Sequence, residues 1–384
     1  MELTAANVSV SQIPFLQCLE ANGKPLSLVS DLFHTRHPLL VDPNYYQSLM
    51  TNKALLVEAY QWMQQTRIYD QKAIALQRTG QLGTYPSSLG QEAIGTAIGL
   101  AMRQDDVLAP YYRDHASQLI RGYLIRDLLL YWGGDERGSA GGPVHDLPIC
   151  VPIATQASHA VGIAAAMKIK GEHKAVLTTI GDGGSSKGDF LEALNLAGAW
   201  QLPVVFIINN NQWAISVPRD IQCGAQTLAQ KGVGAGLPSI QVDGNDFCAM
   251  YSTVNEALQR ARAGKGASVI EAITYRLSDH TTADDATRYR DPEEVKNAWD
   301  QEPVKRLQHY LFDMGWWDQT QEVAWQKHCE QKVEEGIAAY KSIGQESPEA
   351  MFDHLFDEFP EPMSGELDRL YAKHQTTMNS GGEL

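Results

Sequence analysis

The chain has 384 residues, of which 43% are hydrophobic and 20% are charged, and its formal net charge is −15. This composition is typical of a globular protein, and the length allows one large or two ordinary domains. The negative charge argues against nucleic acid and anionic membrane surfaces as partners. Five scattered cysteines without a Cys-x-x-Cys pair argue against a disulfide framework and against a zinc site.

The N-terminal residues contain neither a basic segment nor the long apolar core of a signal peptide. No run approaches the ~18–20 apolar residues that a membrane span needs. We therefore expect a cytoplasmic protein that does not associate with membranes.

The patterns along the chain predict three segments. Residues 1–50 are polar and proline-containing, which indicates an N-terminal arm. Residues 51–300 are predicted to form an α/β domain, which begins with a helix over 54–77. Residues 301–384 are predicted to form a C-terminal helical extension packed on the same domain. Helical patterns there cover 293–341 and 347–373.

Short apolar runs alternate with helical segments of about a dozen residues from residue 151 onward. This alternation predicts parallel strands joined by right-handed crossovers, and therefore a doubly wound, mainly parallel sheet flanked by helices. Ligands of such sheets bind at the carboxyl ends of the strands. The predicted strands are 175–180, 203–208, 239–244 and 268–275, and the predicted helices between them are 189–200 and 247–264.

Polar residues follow two neighbouring predicted strands. Gly181-Asp182-Gly183-Gly184 ends the first, and Asn209-Asn210-Asn211 ends the next. Mg²⁺ prefers hard oxygen ligands, often one or two protein side chains together with phosphate oxygens. Glycines let backbone N–H groups approach an anion, and a helix that follows favours negative charge at its N-terminus. The pair therefore predicts a diphosphate held through Mg²⁺.

Each half of this pattern alone is most often an ordinary turn or loop. A Gly-Asp-Gly followed after about twenty-six residues by Asn-Asn is, however, the fingerprint of thiamine-diphosphate enzymes. The whole chain from about residue 56 resembles the alpha subunit of the decarboxylase component of 2-oxo acid dehydrogenase complexes. The resemblance depends on "GTYPSSLGQEA" (83–93), "APYYRDH" (109–115), "PIATQ" (152–156), "GDGGSSKGDFLEALNLAGAW" (181–200), "INNNQWAIS" (208–216) and "HTTADDATRYR" (280–290).

The resemblance implies a role for each matching residue toward thiamine diphosphate and Mg²⁺. Asp182, the Asn211 side chain and the Trp213 carbonyl would bind the metal. The backbone N–H groups of Gly183 and Gly184 would bind the diphosphate, together with Tyr112 and the guanidinium fork of Arg113. The apolar side chain of Ile153 would pack on the aminopyrimidine ring. Asn209 stands where some relatives have an arginine.

The resemblance also implies catalytic residues on the polar loop at 277–292. His280 matches the family's active-site histidine, and Arg276 would line the channel to the thiazolium with it. Asp284 and Tyr289 would order the loop. Histidine suits the position because its pKa ordinarily lies near working pH, so that it can move a proton during lipoyl acylation.

The implied activity is oxidative decarboxylation of a small 2-oxo acid with reductive acylation of the lipoyl domain of a dihydrolipoyl acyltransferase. The glutamate that activates the cofactor comes from a beta subunit in two-chain members. We therefore expect an alpha2-beta2 heterotetramer and no activity of this chain alone. Pyruvate is the favoured substrate, and a branched-chain 2-oxo acid is the alternative.

Two other interpretations belong to different classes. A P-loop nucleotide-binding module would need a Gly-Lys-Ser/Thr ending, which "GDGGSSKGD" (181–189) lacks. A non-catalytic scaffold would not need to retain Asp182, Asn211, Arg113 and His280.

Overall fold

The computed structural model describes residues 13–26, 37–344, 346–353 and 355–379. The chain divides into two compact units, Met1–Ile337 and Ala338–Leu384. The predicted boundaries at 50 and 300 stay predictions about domain organisation, and parts of the predicted arm (1–12 and 27–36) lie outside the described residues. None of the helices in the described ranges is both long and apolar enough to cross a membrane.

The first unit is built on a parallel sheet, which confirms the predicted α/β class. The described residues form six paired strands in the order β1-β7-β8-β4-β3-β2, and every neighbouring pair is parallel. A separate antiparallel hairpin pairs β5 with β6. The strands are β1 (Phe15–Leu16), β2 (Val107–Ala109), β3 (Val176–Gly181), β4 (Val204–Asn210), β5 (Trp213–Ala214), β6 (Val217–Pro218), β7 (Ser239–Asp243) and β8 (Ser268–Ile273).

Helices cover both faces of the sheet. The helices of the described chain are α1 (Pro43–Met50), α2 (Lys53–Arg78), α3 (Glu92–Ala101), α4 (His115–Arg121), α5 (Ile125–Trp132), α6 (Thr155–Lys170), α7 (Gly188–Trp200), α8 (Arg219–Gln222), α9 (Gln230–Gly234), α10 (Phe247–Arg262), α11 (Pro292–Trp299), α12 (Pro303–Asp313), α13 (Gln319–Ser342) and α14 (Ser364–Asn379).

The central strands are buried on both faces, which explains their continuous apolar sequences. All seven residues of β4 are buried. Because successive side chains of a strand point to opposite faces, Val205 and Ile207 join the core under α3 and α10. Val204 and Phe206 join the core under α6 and α7. This burial holds the carboxyl ends of β3 and β4 side by side.

The structure differs from two expectations. The edge strands β1 and β2, of two and three residues, were not predicted. The helical prediction over 347–373 is wrong for its first part, which contains the short 3₁₀ turns Pro348–Met351 and Glu361–Met363. Prolines at 348, 360 and 362 remove backbone donors there, so regular helix begins only at Ser364.

Candidate active site

The two polar clusters meet at the carboxyl edge of the sheet. Gly181 is the register partner of Asn209, and the Asp182 N–H donates to the Asn209 carbonyl at 3.2 Å. A cavity of about 240 Å³ opens at this point. Nine of the ten sequence-predicted site residues line it: Tyr112, Arg113, Ile153, Asp182, Gly183, Gly184, Asn211, Trp213 and His280.

Asp182 is a buried carboxylate with an unused oxygen. Its side chain is 2% exposed, and Oδ2 has no hydrogen-bond partner among the described residues. Burial raises its pKa to about 6, while the Gly183 N–H and the Arg276 guanidinium act in the opposite direction. A buried anionic oxygen is costly unless it is paired, so this position suits a cation.

The two glycines after Asp182 lie where there is no space for a side chain. A Cβ on Gly183 would lie 2.6 Å from the Ala214 Cβ, and one on Gly184 would lie 2.7 Å from the Ile180 Cγ1. Both belong to a 3₁₀ turn, Gly183–Ser186, directly before α7. An anion can therefore approach the backbone N–H groups closely.

The three asparagines have different environments. The Asn209 amide donates to the Tyr111 hydroxyl at 2.7 Å, and the Asn210 amide donates to the buried Glu271 carboxylate at 2.7 Å. Asn211 lines the cavity instead, and its Oδ1 accepts only a long bond of 3.4 Å from the Trp213 N–H. Of the three, Asn211 is therefore the one placed to reach a ligand.

Left-handed backbone surrounds the cavity at residues other than glycine. Ala154 has φ 71°, Gln212 has φ 73° and Ile215 has φ 56°. Such conformations cost roughly 1–3 kcal/mol each and persist where the surrounding structure enforces them. They flank Ile153, Asn211 and Trp213, so the strain lies beside the predicted contact residues.

Arg276 is the predicted site residue that does not line the cavity. Its side chain is fully buried, and its place along a channel to the cofactor stays a prediction. Its guanidinium donates to the Trp213 carbonyl at 3.0 Å and to the Ile215 carbonyl at 2.8 Å. Arg276 therefore holds the strained segment after β4. The Trp213 carbonyl, predicted as a metal ligand, already accepts one hydrogen bond from it.

His280 lies between two guanidinium groups. Its Nδ1 is 3.1 Å from Arg113 Nη2 and 3.2 Å from Arg276 Nη1. Burial, followed by the two arginine charges, lowers its pKa to about 3. This contrasts with the expected titration near working pH. Since guanidinium groups only donate, Nδ1 accepts, and the neutral ring carries its proton on Nε2.

The loop that carries His280 has internal and external contacts. The His280 N–H donates to Asp284 Oδ2 at 2.9 Å, and the Tyr289 hydroxyl also donates to this oxygen. Arg276 donates to the Tyr289 hydroxyl at 2.9 Å. Asp284 and Tyr289, which were expected to order the loop, thus make hydrogen bonds within it.

Sequence reasoning missed the support beneath this loop. Thr282 and Tyr85 exchange two hydrogen bonds: the Tyr85 N–H donates to Thr282 Oγ1 at 3.0 Å, and the Thr282 N–H donates to the Tyr85 carbonyl at 2.9 Å. The Tyr85 hydroxyl donates to the buried Asp70 carboxylate at 2.9 Å. The side chain of Ser87 also donates to Asp70. Asp70 sits within a regular helical pattern, and nothing in its local sequence marks this role.

Comparison with known proteins gives the family. The sequence profile of the family described as Dehydrogenase E1 component matches residues 60–349. The chain is 36% identical over 329 residues to the pyruvate dehydrogenase E1 component subunit alpha of Mycoplasma genitalium, covering 85% of this chain and 90% of the relative. It is 37% identical over 326 residues to the same-named subunit of Acholeplasma laidlawii, covering 84% and 93%.

A further relative has a different name. The chain is 41% identical over 295 residues to the 3-methyl-2-oxobutanoate dehydrogenase subunit alpha of Mycobacterium tuberculosis, covering 77% of each chain. Both kinds of relative carry the dehydrogenase alpha-subunit name, which agrees with the resemblance in the sequence motifs. The chain therefore belongs to the dehydrogenase E1 component family.

Proposed function

We propose that this chain is the alpha subunit of a pyruvate dehydrogenase E1 component. The observation that carries the proposal is the pairing of Asp182 and Asn211 in one cavity at the carboxyl ends of two adjacent strands. Several relatives named pyruvate dehydrogenase E1 component subunit alpha match most of the chain, which supports the choice of pyruvate.

The residues of the cavity fit a thiamine diphosphate–Mg²⁺ group, and the family in general depends on thiamine diphosphate. Asp182, the Asn211 amide oxygen and the Trp213 carbonyl would hold the metal, a hard-oxygen set of the kind that Mg²⁺ prefers. The described residues contain no cluster of three or more His, Cys, Asp or Glu side chains that could hold a metal. A site with a single carboxylate is expected to need the diphosphate oxygens to complete it.

The other cavity residues would bind and orient the cofactor. The N–H groups of Gly183 and Gly184 and the Tyr112–Arg113 pair would face the diphosphate, and the half-exposed Ile153 would pack on the aminopyrimidine ring. The Arg113 guanidinium already donates to the Ser87 carbonyl at 2.7 Å and to the His280 carbonyl at 2.6 Å. It would therefore join the diphosphate to the loop. When bound, the cofactor supplies the carbanion that adds to the keto carbon of the substrate.

His280 would act on the lipoyl group. Because its Nδ1 accepts from guanidinium groups, its neutral ring carries the N–H on Nε2, which would donate a hydrogen bond to the sulfur released as the dithiolane opens. Arg276 would act by fixing the ring and the Trp213–Ile215 backbone.

The cavity of about 240 Å³ lies below the roughly 300–1,000 Å³ that is usual for a ligand site. This supports a site completed by a beta subunit, in an alpha2-beta2 heterotetramer that acts on the lipoyl domain of a dihydrolipoyl acyltransferase. We expect a cytoplasmic enzyme.

A branched-chain 2-oxo acid is the second candidate substrate. It is favoured by the 41% identity to the 3-methyl-2-oxobutanoate dehydrogenase subunit alpha, although that match covers less of the chain.

Co-expression with a beta subunit tests both proposals. Calorimetry on the purified complex is expected to detect thiamine diphosphate binding that EDTA abolishes. The kcat/KM for pyruvate is expected to exceed that for 2-oxoisovalerate, and the reverse order would establish the branched-chain alternative. Binding that survives EDTA would contradict the metal assignment, and decarboxylation by the alpha chain alone would contradict the shared site.

A further inference from the structure

The turn that carries the cavity glycines is held from behind by a later segment of the chain. Lys231 Nζ donates to the Ser185 carbonyl at 2.7 Å and to Ser185 Oγ at 2.8 Å. Gln222 Nε2 donates to the Gly183 carbonyl at 3.3 Å and to the Ser186 hydroxyl. Both side chains come from the stretch between β6 and β7, which contains the short helices α8 and α9.

These bonds engage the carbonyl groups of the turn one after another. The Ser185 hydroxyl, which accepts from Lys231, donates to the Asp182 carbonyl at 2.7 Å. The carbonyls of Asp182, Gly183 and Ser185 are therefore all tied to protein donors. In a planar trans peptide the N–H points opposite to the carbonyl of the same unit.

Fixing the carbonyls thus fixes the direction of the neighbouring N–H groups. The Asp182 carbonyl shares a peptide unit with the Gly183 N–H, and the Gly183 carbonyl shares one with the Gly184 N–H. Both glycines line the cavity. The glycines contribute no side chain that could hold the turn, so the outside donors add to its two backbone bonds, from the Ser185 N–H to the Asp182 carbonyl at 3.1 Å and from the Lys187 N–H to the Gly184 carbonyl at 3.0 Å.

We propose that Lys231 is a positioning residue for anion binding. By holding the Ser185 hydroxyl, which in turn donates to the Asp182 carbonyl, it keeps the Gly183 N–H directed at the diphosphate of thiamine diphosphate. Gln222 acts in the same way on the Gly184 N–H through the Gly183 carbonyl. The inference rests on the proposed function and names the part of the chain that makes the diphosphate site rigid.

The chemistry of the position favours lysine. Its ammonium group has three donors and can serve both oxygens of Ser185 at once. Ser185 is fully buried and Lys231 is partly buried, so water cannot easily replace these bonds. A methionine of similar length would leave both oxygens without a donor, whereas an arginine keeps a charged donor.

The test uses the assembled complex with its beta subunit. Calorimetry at fixed Mg²⁺ compares the thiamine diphosphate Kd of wild type, Lys231→Met and Lys231→Arg. Loss of charge-assisted hydrogen bonds is expected to weaken binding roughly ten- to a hundredfold in Lys231→Met. Lys231→Arg is expected to recover most of the affinity, and kcat at saturating cofactor is expected to change far less than the Kd.

Lys168→Met is the matched control. Lys168 Nζ also donates to a backbone carbonyl, that of Trp200 at 2.6 Å, but at the opposite end of α7 from the glycine turn. Its substitution is expected to leave the cofactor Kd unchanged, which separates loss of any lysine–carbonyl bond from loss of this one.

Each outcome decides the inference. A Lys231→Met complex that binds within twofold of wild type overturns it, as does an equal loss of affinity in the Lys168→Met control. If Lys231→Met does not assemble, Gln222→Met removes the donor to the Gly183 carbonyl and to the Ser186 hydroxyl and is expected to weaken binding severalfold. An unchanged Kd there also overturns the inference. Failure of the wild-type complex to bind would instead refute the proposed function.

Discussion

Replacing Asp182 with asparagine is expected to stabilise the metal-free protein while abolishing its response to the cofactor. The folded pKa of about 6 lies above the ordinary value of 3.8, so the folded state holds this proton more tightly than the unfolded state does. The unfolding free energy therefore falls as pH rises from about 4 to about 6 and stays low above that range. The difference between the folded pKa and the ordinary pKa corresponds to about 3 kcal/mol of unfolding free energy.

Asparagine carries no charge at any pH, so Asp182→Asn is expected to recover up to about 3 kcal/mol at pH 7.5. For a chain of this length that is an increase of about 4 °C in Tm. The assay is thermal unfolding in EDTA at pH 4 and pH 7.5, with the gain expected only at the higher pH. In the complex with the beta subunit, adding Mg²⁺ and thiamine diphosphate at a hundred times the Kd is expected to stabilise wild type by about 2.7 kcal/mol and the variant not at all.

The control is Asp189→Asn. Asp189 is half-exposed in the first turn of α7 and forms a surface ion pair with Lys187 at 3.0 Å, so its substitution is expected to lower the unfolding free energy by at most about 1 kcal/mol and to leave the cofactor response unchanged. An Asp182→Asn protein that melts below wild type in EDTA at pH 7.5 would refute the argument from burial. Equal stabilisation of both proteins by the cofactor would refute the metal assignment.

Three further predictions concern the loop and the fold. The pKa of about 3 predicts that NMR of the His280 ring finds no titration between pH 5 and 8. His280→Ala is expected to lose lipoyl acylation about a hundredfold or more while sparing decarboxylation with an artificial acceptor. Equal losses in both assays would count against the lipoyl role. Thr282→Val leaves the Tyr85 N–H without its acceptor, so trypsin is expected to cleave faster at the exposed Arg288. Thr282→Ser and the loop control Thr287→Val are expected to behave as wild type. An unchanged cleavage rate in Thr282→Val would contradict the role of this contact. Gly198→Ala places a Cβ 2.1 Å from the Ala235 carbonyl oxygen and is expected to destabilise the chain by roughly 1–3 kcal/mol or more in denaturant unfolding. Gly188→Ala, in the same helix but with open space around it, is expected not to destabilise the chain. Equal effects of the two substitutions would contradict the packing argument.

The central sheet could be predicted because its strands are apolar runs buried on both faces. The predicted strand at 203–208 became β4, which extends to Asn210 because Asn209 and Asn210 find buried partners. The strands β1 and β2 could not be predicted, since two or three residues carry no periodicity. The predicted helix at 347–373 starts too early, because regular helix begins only at Ser364, after the prolines at 348, 360 and 362.

The members of the site could be predicted from motifs, but their environments could not. His280 resembles a titrating histidine until the fold brings Arg113 beside it from 167 positions away. Lys231, Gln222 and Asp70 lie outside the recognised motifs, and their contacts exist only after the chain has folded. Local sequence therefore identifies the groups that face a ligand better than those that hold them in place.

The left-handed residues Ala154, Gln212 and Ile215 have a consequence for engineering. A search for thermostable variants is expected to select glycine at these three positions, because each replacement relieves an unfavourable dihedral angle. The melting temperature would improve while the loop before α6 and the segment after β4 gained freedom to move. Gains of this kind would be misleading, because the rim of the pocket would no longer keep one shape.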